Sequence, residues 1–196
     1  MKTKRIILTL LLTVCQLSLV VAQQTDFQKA VARFKGCSQV TAVATKTTHK
    51  NAVAKDVTAK GTLTMKRPSE VTISTNEGKD QLLMRGSQFT MVVKGKKHTT
   101  SSQTNRQFAS FQTVFESILA GGEKDITNLA DLTAKKQGNL LVLTIAPKAD
   151  SKKAARRMLF SSFVMTIDTR TSELRSLRMN ERAGYTEYAF TKFEFQ

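Results

Sequence analysis

Tryptophan is absent from this 196-residue sequence, and cysteine, histidine and proline occur twice each. The two histidines, His49 and His98, stand alone in polar segments, and no Cys/His or His/carboxylate set has ligand spacing, so no metal site is expected. Gly-x-Ser-x-Gly does not occur, and neither histidine is placed to serve a nucleophile elbow. A glycine-rich phosphate loop is missing too, and the acidic residues are scattered over turns and polar faces without forming an acid/base pair. Neither a catalytic residue nor a cofactor is expected. Once Cys15 leaves with the N-terminal apolar run, Cys37 has no partner, so the fold must be held by its core and not by a disulfide.

Negative charge is scarce. Lys and Arg total 31 against 15 Asp and Glu; without Lys2, Lys4 and Arg5 the basic count is 28, leaving about +13. Such a charge attracts polyanions or an anionic membrane surface. Nucleic acid is not the expected partner, because Tyr occurs only twice and the phenylalanines fall in apolar-face patterns, not interleaved with Arg as stacking platforms. A basic surface that keeps the protein soluble without any specific partner explains the charge equally well.

Apolar runs of spanning length are limited to one, Ile6 to Val21, behind the basic residues Lys2, Lys4 and Arg5. Thr9, Thr13, Gln16 and Ser18 interrupt it and Val20-Val21-Ala22 follows as a small-residue cleavage site, so residues 1–22 read as a removable export signal. Val14 stands before Cys15 where lipidation wants a small residue, which argues against an acylated N-terminus. Residues 23–196 are then a single exported domain, with enough length for a sizeable core.

What is there is mostly strand. From Val57 to Met65 the odd positions Val57, Ala59, Gly61, Leu63 and Met65 are small or apolar and the even ones polar, one greasy face and one wet. Pro68 ends that strand, and Val71 and Ile73 resume the alternation. Turns at Asn76 to Lys79 and Gly86-Ser87 then separate Leu82 to Met84 from Phe89, Met91 and Val93. Two segments have helical period. Phe27, Ala30, Val31 and Phe34 predict a helix over 26–35 ending at Gly36. Phe108, Phe111, Phe115, Ile118 and Leu119 predict another over 107–120 ending at Gly121-Gly122. A further short helix is expected over 125–132, loop from Thr99 to Arg106, and a basic connector from Asp150 to Arg157. Gly138-Asn139 reads as a hairpin turn before Leu140 to Ile145, and three more strands follow from Phe160. In the last of them, Tyr188 and Phe190 take one parity, Phe193 and Phe195 the other, so aromatics are expected on both faces. The fold class is α+β: a strongly curved antiparallel sheet of about ten strands, an unclosed β-barrel. The N-terminal helix and one or two central helices cap its concave side.

This order of elements, the strand ending Gly61-x-Leu63-x-x-Lys66-Arg67-Pro68, and the closing run Gly184-Tyr185-Thr186-Glu187-Tyr188-x-Phe190 resemble the LolA-like periplasmic lipoprotein carriers. The resemblance implies a carrier in the periplasm of a Gram-negative bacterium, a monomer. It would shelter lipoprotein acyl chains in an apolar cavity between inner-membrane release machinery and an outer-membrane acceptor. It further implies that Arg67 latches the lid helices, although Arg beside Pro at a strand end is also an ordinary solvated residue. Leu63, Met65, Val71, Ile73, Met84, Phe89 and Met91 would line the cavity, with Phe108, Phe111, Phe115, Ile118 and Leu119 on its lid. The same methionines also suit ordinary core packing. Two alternatives stay open: a carrier of another envelope lipid, such as a glycolipid or pigment lipid, and a non-catalytic basic interaction module.

Overall fold

A computed structural model of the chain describes residues 24–93, 95–105, 108–149, 151, 153 and 158–196. The export signal and most of the Asp150 to Arg157 connector lie outside the described residues.

Helix α1 covers residues 24–30 and runs into a 3-10 turn, Ala32–Phe34. Phe27, Ala30, Val31 and Phe34 are all buried, and Gly36, at φ +91°, turns the chain out of the helical region. The first six strands are β1 (Gln39–Lys50), β2 (Val57–Lys66), β3 (Glu70–Thr75), β4 (Asp80–Arg85), β5 (Gln88–Val93) and β6 (Lys96–Ser101). Helix α2 (Ala109–Leu119) follows, and then β7 (Leu132–Gln137), β8 (Leu140–Ile145), β9 (Ser162–Asp168), β10 (Glu173–Glu181) and β11 (Gly184–Phe195). All eleven form one antiparallel sheet in the order β6-β5-β4-β3-β2-β1-β11-β10-β9-β8-β7. β6 and β7 are its edges, so the barrel is unclosed. α2 is the chain that joins those two edges, which carries it across the gap.

Alternation decides the faces. In β3, Val71 and Ile73 are buried while Thr72 and Ser74 are not; in β4, Leu82 and Met84 are buried while Gln81 and Leu83 are not. The odd positions of β2 follow the expected pattern only at Leu63 and Met65, and Val57 is 67% exposed. β3 pairs with β2 only from Gly61 onward, so the β1–β2 hairpin runs past its neighbour and leaves Val57 uncovered.

Three expectations are corrected. Thr99 to Ser101 belong to β6, not to a loop: the strand is polar on both faces because it is an edge, held by its ladder with β5 and not by burial. The helix expected over 125–132 is a run of turns. There the Asp125 carboxylate accepts from the Thr127 amide at 2.8 Å and from its hydroxyl at 2.7 Å, so the side chain competes with helical pairing. In β11 the aromatics do not face both ways. Lys192 sits at φ +55°, and the β1 partners jump from Thr191 to Glu194. The bulge switches parity, so Phe193 and Phe195 pack against the same core as Tyr188 and Phe190.

Candidate functional site

The apolar residues of the concave face and of α2 are brought together. Leu63, Met65, Val71, Ile73, Met84 and Phe89 are buried on the sheet, Met91 is half-buried beside them, and Phe108, Phe111, Phe115, Ile118 and Leu119 are buried under α2. Rings of α2 and of the sheet meet between them. Phe108 stacks on Phe89 with centroids 4.3 Å apart, Phe111 lies 4.6 Å from Phe163, and Phe108 meets Phe160 edge-on at 6.2 Å. At these rings the helix lies in contact with the sheet.

α2 ends in a Schellman motif. The Gly122 amide donates to Ser117 O at 2.8 Å and the Gly121 amide to Ile118 O at 2.9 Å, with Gly121 at φ +67°. This brings the end of α2 close against the segment that follows α1: a Cβ on Gly121 would stand 2.7 Å from Lys35 Cβ and 2.9 Å from Lys35 backbone. Arg67 joins both. Just beyond β2, its Nε donates to Leu119 O at 2.9 Å and an Nη to Phe34 O at 3.3 Å. The carbonyls at a helix C-terminus lack partners in the helix and carry the negative end of its dipole, so one guanidinium fork suits both ends.

A polar group lies on the same concave face, away from Arg67. Lys46, in line with the buried Val40, Ala42 and Ala44 of β1, donates to Asp80 at 3.0 Å, and both side chains are nearly buried. Tyr188 pairs directly with Lys46 across β1 and β11, and Thr75 pairs with Asp80 across β3 and β4. Burial pushes the Tyr188 phenol well above its ordinary pKa, and the carboxylates of Asp80 and Glu181 push it the same way. Thr75 is 1% exposed and its hydroxyl has no hydrogen-bond partner among the described residues. These residues are absent from the sequence-based set. The available signal was parity: a lysine and a tyrosine on inward positions of otherwise apolar strands.

An unclosed antiparallel barrel with helices on an apolar concave face is a carrier or binding scaffold. The chain belongs to the family described as outer membrane lipoprotein carrier protein LolA, whose model matches residues 36–196. No curated protein matches the sequence. Among solved structures, a putative outer membrane lipoprotein-sorting protein domain from Vibrio parahaemolyticus is 11% identical, covering 90% of this chain and 93% of that one, with a TM-score of 0.45. The lipoprotein LppX of Mycobacterium tuberculosis is 12% identical over 88% of this chain and 94% of its own (TM-score 0.37). A LolA superfamily protein from Nitrosomonas europaea is 8% identical over 88% and 93% (TM-score 0.39).

Proposed function

We propose that this protein is a periplasmic carrier that shelters lipoprotein acyl chains beneath α2 during transfer from an inner-membrane release machinery to an outer-membrane acceptor. The observation that carries this is the position of Arg67: one side chain at the sheet rim holds the C-terminal ends of both helical segments over an apolar concave face. Family membership points the same way. In this reading the ring contacts belong to the closed lid. Lifting α2 withdraws Phe108, Phe111 and Phe115, and acyl chains take the vacated positions, so apolar contact is exchanged for apolar contact at about 0.8 kcal/mol per methylene sheltered. Polar ties also hold the lid. Besides those of Arg67 they include Ser110 to Asp131 at 2.6 Å and the Ser102–Gln112 contact.

Arg67→Leu removes the latch. It should weaken the closed form by about 1 kcal/mol, tighten binding of a fluorescent fatty-acyl probe roughly fivefold and slow its release. Unchanged affinity and release would overturn the latch, and absence of saturable probe binding to the unaltered protein would overturn the carrier. The ring contacts between α2 and the sheet also support a second reading, a basic interaction module whose core never opens; it predicts salt-sensitive binding to an acidic envelope partner and none to the probe.

A further inference from the structure

The group around Lys46 is polar among the apolar residues of the concave face, and stability alone is a poor reason for it. A nearly buried ion pair on an apolar surface gains little or nothing over a well-packed apolar pair of similar volume. An unpartnered hydroxyl at Thr75 is a direct cost of desolvation with no compensating bond. Removing that hydroxyl while keeping the shape would stabilise the empty protein, yet the structure places it beside Asp80 on the face where a ligand would lie.

The placement suits one end of an amphiphile. From Gly61, the partner of Thr75, to Lys66 next to Arg67, β2 advances by five residue steps, about 17 Å. Leu63, Met65, Val71 and Ile73 fill that interval with apolar surface. A lipid lying along it, with its chains toward the lid latch, would present its polar end to Thr75, Tyr188 and Lys46.

The local charges select the kind of polar end. Lys46 is matched by Asp80, and Glu181 is matched by Lys50. Tyr188 is held as the neutral phenol. The group is therefore close to neutral, with hydroxyl and ammonium hydrogens available to carbonyl oxygens. A phosphate would meet the carboxylates of Asp80 and Glu181, while Lys46 and Lys50, the cations paired with them among the described residues, are already matched. We infer that Thr75, Tyr188 and the Lys46–Asp80 pair form a seat for the uncharged, ester- or amide-linked polar end of an acyl lipid, which discriminates against anionic phosphate headgroups. This rests on the carrier reading and names the ligand class of the same site.

The test is equilibrium binding of two fluorescent lipids with identical chains, a diacylglycerol and the corresponding phosphatidic acid, to the purified protein and to Thr75→Val and Tyr188→Phe. A cysteine peptide bearing the same diacylglyceryl group distinguishes a protein-borne source from a free lipid, and tighter binding of either than of phosphatidic acid supports the seat. The unaltered protein should prefer diacylglycerol. Each variant should bind it about fivefold more weakly with little change for a hydrocarbon-only probe, while Thr75→Val melts no lower than the parent in the absence of lipid. That pairing of lost affinity with retained stability is a signature that a merely structural hydroxyl does not give. Equal affinity for the two lipids, or unchanged affinity in Thr75→Val, would overturn the seat and leave the carrier standing. Saturable binding of none of these probes would overturn both.

Discussion

Tyr188 shows how one side chain reports its surroundings. Its ring is 4% exposed and two carboxylates lie near its hydroxyl, so the phenolate is disfavoured in the folded protein relative to the unfolded chain, where the group ionises near 10.0. The folded-state pKa is raised, so the associated stability is fully present below about pH 10 and is lost as pH rises beyond it. Thermal melts from pH 8 to 11 should show the parent losing stability above pH 10 and Tyr188→Phe losing less. Identical alkaline slopes would mean that the hydroxyl is already solvated in the folded state. Asp168 is the opposite case. The Arg170 amide at 3.0 Å is the main cause of its lowered pKa, helped by the guanidinium of Arg175 at 3.2 Å. Its contribution is therefore present above the ordinary carboxylate value and lost in acid.

At the scale of elements, the junction of the two helical segments depends on glycine. Gly121 is left-handed and has the Lys35 backbone where its Cβ would be. Gly121→Ala should cost about 2 kcal/mol, combining left-handed strain with the displaced neighbour. If this junction closes the lid, amide exchange over residues 109–119 should quicken more than exchange in β1 or β2, whereas a uniform change would show that α2 does not open as a unit. The elements legible in the sequence are those with a clear period: α2 from its phenylalanine stripe, and β3 to β5 from alternation interrupted by turns. β6 was not, because an edge strand made of Lys96, Lys97, His98, Thr99, Thr100 and Ser101 has no apolar face to announce it. The turns after Asp125 were misjudged because Ile126, Leu129 and Leu132 have helical spacing while the local Asp125 bonds decide otherwise.

For the whole molecule, the charge of about +13 that remains without Lys2, Lys4 and Arg5 (28 basic against 15 acidic residues) implies long-range attraction to anionic membrane surfaces. The purified protein should sediment with anionic phosphatidylglycerol vesicles at low salt and be released near 1 M, where the Debye length falls to about 3 Å from about 10 Å at 0.1 M. Binding that survives high salt would point to insertion of apolar residues instead. This attraction belongs to the surface and is separate from the neutral polar group inside the sheet.

The sequence by itself determined the sign of the surface, the alternating strands and the apolar stripe of α2, because each is written in neighbouring residues and needs only local periodicity to be seen; the latch at Arg67 was implied by the family resemblance alone. Tertiary structure decided the rest. The parity switch at Lys192, the fork from Arg67 to Leu119 and Phe34, and the meeting of Lys46 with Asp80, 34 residues away, depend on which strands lie side by side. Strand pairing is a property of the assembled sheet, and no single stretch of chain contains it.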